Sequence, residues 1–421
     1  MYNDKFGCFL TFIISISSVG FSECTGRNNV CKGIKDYYTI ETNGNCTFDP
    51  DVFLPMELLI TSNGYPLEVY EPITRDGYIL KLFRIPQKKP KRGTVYLSHP
   101  LNGMSNLWVD KKNHSLAFML SNAGYDVWMG NYRGNYHSER HETLTVYDRE
   151  FWKFSFHEMA LYDLPTMLEF IREHTEGDRV YYIGHSLGTT TAFIYSSLLP
   201  EHAEDFVKVF VCMSPVAFLR HVPYIMRVVA RYTNLFLEWG ESLGITNMIW
   251  WNGFLHNLAK GFCLGPEPHI ELCLFFLVVA IGNGPDFEEL NPIWIPHTFT
   301  QNFAGFSFRS VAHYGQIAGS ERFQFFDHGA EKNLNFYGSQ RPPLYPLDKM
   351  TVPIYLVYGS RDNVATQWDA EEFYEAIPPR TRIYGKWKVN GFNHVDFMYG
   401  RNVGTRVYEP IVDFVNNIVR D

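Results

Sequence analysis

The stretch Val180–Thr190, with the sequence VYYIGHSLGTT, constrains the fold of this chain more than any other part of it. Its first residues are β-prone, and they lead directly into Gly184–Gly188, which has the form G-x-S-x-G. A helical pattern follows from Thr189 to Leu199. A serine in a tight strand-to-helix turn is held with its hydroxyl exposed above the sheet. The stretch therefore predicts a nucleophile at Ser186, with an ordinary glycine-rich turn as the alternative.

Strand-like and helical patterns alternate from Tyr65 onward, which indicates an α/β sheet covered by helices on both faces. A helical spacing of apolar residues covers Glu158–Ile171. Continuous apolar runs are typical of parallel strands that are buried on both faces. The predicted strands are Thr94–Ser98, Asp126–Met129, Arg179–Ile183, Val207–Met213 and Pro353–Tyr358.

The alternation breaks between about Phe218 and Thr300, where Trp, Phe, Gly and Pro are crowded together. We interpret 218–300 as a cap or lid inserted into one catalytic core, which then comprises 56–217 and 301–421. An N-terminal segment, 23–55, precedes this core. The aromatic cluster Trp250–Phe254 predicts either a lid edge that contacts lipid or a packed core, and both readings stay open.

The N-terminus indicates a secretory route. Residues 1–22 contain one lysine, then an apolar run, then small residues where a signal peptidase could cut. An uncleaved membrane anchor is the alternative, but the run is short for a bilayer span, and so is the later run Leu272–Ile281. We therefore expect a secreted or lysosomal protein without a stable transmembrane anchor. The net charge of -8 and the lack of a long basic run argue against nucleic-acid binding and favour a neutral substrate.

Disulfides and glycans are compatible with this route. Removal of the signal leaves Cys24, Cys31, Cys46, Cys212, Cys263 and Cys273, and six cysteines can pair in fifteen ways. We expect Cys263 and Cys273 to pair because they close a short loop around 265–268, whereas Cys212 lies in an apolar run and is predicted to be a buried thiol. Glycosylation sequons begin at Asn45 and Asn113.

A serine nucleophile needs a histidine base and a carboxylate that orients the histidine. In a strand-turn-helix architecture of this kind, both follow the serine in the chain, with the acid first. Asp362 comes directly after a late predicted strand, and His394 stands after the last strand-like run. Asp369 and Asp396 are competing candidates for the acid. The position next to the strand favours Asp362.

Taken together, these residues resemble the acid lipases, the gastric and lysosomal lipase group within the α/β-hydrolase fold. The motifs that carry the resemblance are Asn63–Pro66, Thr74–Leu80 with Arg84–Pro86, Gly130–Asn135, and Phe151–Ala160 followed by Tyr162–Pro165. The resemblance covers nearly all of the mature chain. It implies Ser186, Asp362 and His394 as nucleophile, acid and base, and it places the family's lid disulfide on Cys263 and Cys273. It also implies hydrolysis of neutral lipid esters, triacylglycerol or sterol ester, at a lipid–water interface, without a cofactor or metal.

Two backbone donors are expected to form the oxyanion hole. The N–H of Leu187 is one, and the resemblance supplies the N–H of Leu101, in the loop His99–Gly103, as the other. The chain departs from the family pattern twice, with Pro100 in place of glycine and Leu187 in place of glutamine. Neither departure removes a proposed donor, since Pro100 loses only its own N–H. The departures motivate an alternative hypothesis, a catalytically weak lipid-binding or storage protein, while peptidase or thioesterase chemistry is argued against only by the resemblance.

Overall fold

The computed structural model describes residues 26–87, 92–175, 177–248, 261–264, 269–281, 288–302 and 304–418. The predicted signal at 1–22, Cys24 and the cluster Trp250–Phe254 lie outside the described residues. A central eight-stranded sheet organises the chain. Its strands, numbered here in chain order, are β1 (Glu68–Tyr70), β2 (Lys81–Ile85), β3 (Thr94–Ser98), β4 (Asp126–Asn131), β5 (Val180–His185), β6 (Val207–Met213), β7 (Ile354–Gly359) and β8 (Lys386–Val389).

The spatial order of the strands is β8-β7-β6-β5-β3-β4-β2-β1. Strands β3 to β8 are parallel to one another, with Ile183 of β5 opposite Leu97 of β3 and Val211 of β6. Only β2 runs antiparallel to both of its neighbours, β4 and β1. The predicted α/β fold with a mostly parallel sheet is therefore confirmed, and the bounds of β3 and β6 are those predicted from the sequence.

Helices cover both faces of this sheet. Among the described residues, the α-helices of seven or more residues are α1 (Met56–Ser62), α2 (Leu116–Asn122), α3 (Leu164–His174), α4 (Leu187–Leu198), α5 (Pro200–Phe206), α6 (Tyr224–Ala230), α7 (Thr233–Ser242), α8 (Ile270–Ile281), α9 (Trp294–Gln301), α10 (Phe308–Ser320), α11 (Ala330–Tyr337), α12 (Gln367–Ala376) and α13 (Glu409–Ile418). A short turn, Phe156–Glu158, and a π-helical segment, Met159–Asp163, precede α3. No helix in the described part of the chain combines the length and apolarity that a membrane span requires.

Two apolar cores lie on opposite faces of the sheet because successive side chains of a strand alternate between its faces. In β5, Tyr181 and Ile183 belong to the core that packs against α2 and α13, whereas Tyr182 belongs to the core that packs against α3 and α4. All six residues of β5 are buried. This double burial explains why the parallel strands are recognisable as continuous apolar runs in the sequence.

The described part of the region predicted as a cap, 218–300, contains α6 to α8 and all of α9 except its last residue. Helix α10 packs against α6 and α7, and the short strand Asn247–Met248 pairs with Phe306–Ser307. Several large apolar side chains on α6 and α7 are exposed to solvent: Tyr224, Ile225, Met226, Val229, Leu235, Phe236 and Trp239. The packing of α10 ties this helical layer to the core, while the limits of the cap stay a prediction.

Two disulfides occur among the described residues. Cys31 pairs with Cys46 across two short antiparallel strands, and Cys263 pairs with Cys273 of α8. Sequence reasoning left the partner of Cys31 open. Cys212 is a buried free thiol in β6, and burial raises its pKa well above the usual value.

Candidate active site

Ser186 lies in the sharp turn between β5 and α4. Its backbone has φ 53° and ψ -111°, a conformation that is rare for a residue with a side chain and that stores strain at functional sites. The two flanking glycines make the turn possible. A Cβ added at Gly184 would lie 2.8 Å from the carbonyl oxygen of Gly188, and one added at Gly188 would lie 2.6 Å from the carbonyl oxygen of Ser98.

Three side chains from distant parts of the chain meet at this turn. The Oγ of Ser186 lies 2.9 Å from Nε2 of His394. The Nδ1 of the same ring lies 2.9 Å from Oδ2 and 3.2 Å from Oδ1 of Asp362. All three residues are buried. The geometry is a continuous row from hydroxyl to imidazole to carboxylate, along which a proton can pass from the serine to the histidine.

The backbone after β7 holds the carboxylate of Asp362 in place. Its Oδ1 accepts hydrogen bonds from the N–H groups of Val364 and Ala365, both at 2.8 Å. The side chain is therefore oriented toward His394 by its own loop.

The competing carboxylates have other partners. Asp369 accepts a hydrogen bond from the hydroxyl of Thr366 at 2.8 Å and from the backbone N–H of Arg220 at 2.8 Å, so it fastens the start of α12 to the chain after β6. Asp396 accepts a hydrogen bond from the N–H of Asn393 at 2.7 Å. The carboxylate hydrogen-bonded to His394 is that of Asp362.

His185 links the serine turn to the loop that carries His394. Its Nε2 lies 3.1 Å from the backbone carbonyl oxygen of His394, and because a carbonyl only accepts, this nitrogen donates. The ring lies against the ring of His394, with 5.1 Å between the centroids. Burial lowers the pKa of His185 well below the usual value, which keeps the ring neutral. Sequence reasoning missed this contact, although His185 is the x before the serine in G-x-S-x-G.

The two predicted oxyanion donors follow neighbouring strands. Leu101 lies in the turn after β3, where Gly103 donates to the carbonyl of Pro100 at 3.0 Å and Asn102 has φ 58°. Leu187 is the first residue of α4, and N–H groups in the first turn of a helix have no acceptor within the helix. Because β3 and β5 are adjacent and parallel, both loops lie at the same edge of the sheet. The N-terminus of α4 also favours negative charge there.

His99, the first residue of the Leu101 loop, is fully enclosed. Its Nδ1 lies 2.8 Å from the carbonyl oxygen of Pro100, and its Nε2 lies 3.1 Å from the backbone nitrogen of Tyr132 and 3.1 Å from Nδ2 of Asn135. Burial lowers the pKa of His99 to about 4. In the sequence, His99 and Asn135 stand out only as members of two separate motifs, and nothing in their spacing indicates that they touch.

One group of side chains among the described residues has the proximity to share a metal ion: His221, Asp369 and Glu372. Asp369 already accepts two backbone hydrogen bonds, and Glu372 forms an ion pair with Arg220. These contacts connect α12 to the segment after β6, and they explain why the three side chains lie together. The two sequon residues, Asn45 and Asn113, are both exposed, and their glycosylation stays a prediction.

Comparisons with known proteins agree with the fold. The family model for the alpha/beta hydrolase fold matches residues 93–257, and that for the partial alpha/beta-hydrolase lipase region matches residues 56–112. Lipase lipl-1 of Caenorhabditis elegans is 33% identical over 383 residues, which cover 88% of this chain and 93% of the relative. Gastric triacylglycerol lipase of Bos taurus is 33% identical over 384 residues, covering 88% and 94%. A thermostable carboxyl esterase from Bacillus coagulans superposes with a TM-score of 0.51 at 15% identity, covering 84% of this chain and 99% of that one.

Proposed function

The chain belongs to the acid lipase family and is a carboxylic ester hydrolase that acts on lipid esters, and from this premise we propose that it cleaves neutral lipids, triacylglycerol or sterol ester, through Ser186, His394 and Asp362. The observation that carries the proposal is the hydrogen-bonded row of these three side chains, with 2.9 Å between Ser186 Oγ and His394 Nε2. The relative from Bos taurus is named for triacylglycerol, which supports the same substrate class here.

In the acylation step, Nε2 of His394 takes the proton of Ser186 while Oγ attacks the ester carbonyl carbon. Asp362 orients the ring and stabilises the imidazolium that forms. The tetrahedral intermediate then collapses, the bond to the alcohol oxygen breaks, and the alcohol leaves with the proton from Nε2. The acyl group remains on Ser186 as an ester.

In the deacylation step, a water molecule replaces the alcohol, and His394 takes its proton as it attacks the acyl carbonyl. Release of the fatty acid returns the proton from Nε2 to Ser186. Each step passes through an oxyanion, for which we propose the N–H groups of Leu101 and Leu187 as donors. Loss of one such donor typically costs ~3 kcal/mol of transition-state stabilisation.

The proposal includes contact with a lipid surface. Helices α6 and α7 expose several large apolar side chains, among them Ile225, Leu235 and Trp239. Clusters of exposed apolar side chains are typical of surfaces that meet a membrane or another apolar partner. A secreted or lysosomal location, with a signal at 1–22, follows from the N-terminal sequence pattern.

A catalytically weak lipid-binding or storage protein is the alternative. Pro100 and Leu187 motivate it, since the family pattern has other residues at both positions. The hydrogen-bond distances between the three side chains argue against it. His394 lies within 3.2 Å of the carboxylate of Asp362 and within 2.9 Å of Oγ of Ser186. The N–H groups of Leu101 and Leu187 are also retained.

The test is hydrolysis by the purified protein of a short-chain chromogenic ester, together with triacylglycerol, cholesteryl ester and phospholipid, from acid to neutral pH. Ser186→Ala is the matched control, because it removes one oxygen atom from the row. We expect turnover of the neutral esters, labelling of Ser186 by a serine-directed phosphonate, and a loss of about 10⁴- to 10⁶-fold in kcat for the variant. An unlabelled serine and equal rates for the two proteins would refute the proposal.

A further inference from the structure

The turn Gly130–Asn135 at the end of β4 is one of the motifs that carry the family resemblance, and the proton relay does not use it. Two of its members face His99. The backbone N–H of Tyr132 and the side-chain amide of Asn135 both point at Nε2 of that ring, each at 3.1 Å. The amide orientation of Asn135 is consistent, because its Oδ1 accepts from the N–H of His137 at 2.9 Å and its Nδ2 donates to Oδ1 of Asn131 at 3.1 Å.

These contacts fix the protonation of His99. A backbone N–H only donates, so Nε2 of His99 carries no hydrogen and accepts from Tyr132. The carbonyl of Pro100 only accepts, so Nδ1 of His99 carries the hydrogen and donates to it at 2.8 Å. The low pKa that burial imposes on His99 agrees with a neutral ring. The turn after β4 therefore holds the Pro100 carbonyl through one defined tautomer.

The same turn holds the far end of the loop. The Oδ1 of Asn131 accepts a hydrogen bond from the backbone N–H of Ser105 at 3.0 Å, and its Nδ2 donates one to the Ser105 hydroxyl at 3.0 Å. In the middle of the loop, the carbonyl of Asn102 accepts from Ala304 at 3.3 Å, and the carbonyl of Ala304 accepts from the N–H of Tyr136. The loop is thus anchored before, at and after the segment that contains Leu101.

We propose that Asn135 and His99 are positioning residues that aim the N–H of Leu101 at the developing oxyanion. The inference rests on the proposed function, in which Leu101 is a donor. In this proposal Pro100 restricts the backbone that leads into Leu101. A proline has a fixed φ and no N–H of its own, so once His99 holds its carbonyl, the peptide that leads into Leu101 has little freedom left. A preorganised donor of this kind lowers the barrier without contributing to substrate binding.

The sharpest variant is Asn135→Asp. It keeps the size and shape of the side chain but places a carboxylate oxygen, which only accepts, where an N–H donor faced the lone pair of Nε2. The ring must then either move away or take a proton on Nε2, and a protonated Nε2 conflicts with the N–H of Tyr132. Asn135→Ala is a second variant, which removes the donor without adding charge and leaves the contact with Tyr132.

The matched control is Asn333→Asp. Asn333 is as buried as Asn135, and its amide likewise makes three hydrogen bonds, but its partners are Asp327, His328 and Gln340. The rates are measured on a water-soluble short-chain ester, with thermal unfolding recorded for each protein. A second readout is inhibition by an alkyl trifluoromethyl ketone, which adds to the serine hydroxyl and presents a tetrahedral oxyanion.

We expect Asn135→Asp to lower kcat by about 10- to 100-fold, with KM changed by less than about threefold. The affinity for the ketone should fall by about the same factor as kcat. Asn135→Ala should lose about 3- to 10-fold in the same pattern, and Asn333→Asp should keep kcat within about twofold. A wild-type protein that hydrolyses the ester through Ser186 while both Asn135 variants keep its kcat and its ketone affinity would overturn this inference alone. A wild-type protein as inactive as Ser186→Ala would overturn the proposed function instead.

Discussion

The Oγ of Ser186 lies 2.9 Å from Nε2 of His394, although 208 residues separate the two in the chain. The parallel sheet explains this proximity. Ser186, Asp362 and His394 follow β5, β7 and β8, which point in one direction within the sheet. Because the carboxyl ends of parallel strands meet at one edge, their loops share a common space. The long segment between the end of β6 at Met213 and the start of β7 at Ile354 does not separate these loops.

The first prediction concerns the acid. Asp362→Asn keeps the shape of the side chain but presents either an amide N–H₂ or a weaker acceptor to Nδ1 of His394, which disfavours the required tautomer. In serine proteases with the same arrangement, this change lowers kcat by about 10⁴-fold. We expect a loss of about 10³- to 10⁴-fold in kcat for this protein, measured on a short-chain chromogenic ester.

Asp369→Asn is the control for that variant. Asp369 is buried and lies seven residues further on, but it bonds Thr366 and the N–H of Arg220. We expect it to lower the free energy of unfolding by about 1–3 kcal/mol, because an amide leaves part of this buried hydrogen-bond network without a partner, and to leave kcat within about threefold. The opposite result, with Asp369→Asn inactive and Asp362→Asn active, would reassign the acid.

Much of this arrangement was predictable from the sequence, because its parts are local. Buried parallel strands are continuous apolar runs, so the bounds of β3 and β6 could be predicted to the residue. The G-x-S-x-G motif between a strand and a helix identifies the turn. The order of serine, acid and histidine follows from the architecture. These features depend on short stretches of chain and on a general rule of topology.

The parts that could not be predicted depend on long-range contacts between polar side chains. Asn135 and His99 are 36 residues apart, and the bond from His185 goes to a carbonyl 209 residues away. The short strand β1 lies at the edge of the sheet, and only Val69 of its three residues is aliphatic, so no apolar run reveals it. Such features become visible only when the chain is folded, because no local pattern distinguishes them from ordinary loop residues.

The second prediction concerns the glycine after the nucleophile. In Gly188→Ala, the new Cβ would lie 2.6 Å from a backbone oxygen of β3, so strand and helix must separate. Overpacking of this kind costs about 1–3 kcal/mol, which exceeds the gain of about 1 kcal/mol that alanine brings to a helix. We expect a lower midpoint of unfolding and a kcat reduced by at least about tenfold, because the turn that holds Ser186 moves.

Gly44→Ala serves as its control. A Cβ added at Gly44 meets no atom within 4 Å, and its φ is not positive. We expect unchanged activity and a free energy of unfolding that is equal to or slightly above that of the wild type. Equal stability of the Gly188 and Gly44 variants would show that the close contact between α4 and β3 is not a packing constraint.

The third prediction concerns the disulfide between Cys263 and Cys273. Its ten-residue separation corresponds to about 2–3 kcal/mol of stabilisation through the entropy of the unfolded chain. The double variant Cys263→Ser/Cys273→Ser should lose that amount, measured as the free energy of unfolding in denaturant. Cys212→Ala is the control, because it removes a buried thiol that forms no disulfide. A reducing agent should lower the free energy of unfolding of this variant and of the wild type by the same amount. An unfolding midpoint that is identical with and without the bridge would contradict the prediction.

The last prediction concerns the pH dependence of stability. His313 is fully buried, with Nε2 at 2.9 Å from the carbonyl of Gln324 and its ring stacked on Phe156, and burial lowers its pKa to about 3. In the unfolded chain the value is near 6.5. The unfolded state therefore binds a proton as the pH falls below 6.5 while the native state does not, so stability decreases with falling pH. Between pH 7 and pH 5 this one group should cost about 2 kcal/mol.

His313→Gln isolates that contribution, because a glutamine amide can still donate to the carbonyl of Gln324 but does not titrate. We expect the variant to be less stable than the wild type at pH 7, since the stacking on Phe156 is lost, and the difference to narrow by about 2 kcal/mol at pH 5. The measurement is denaturant unfolding at half-unit steps from pH 7 to pH 5. Parallel curves for the two proteins would mean that the native ring takes up its proton in the same range as the unfolded one, which its burial and its bond to the Gln324 carbonyl argue against.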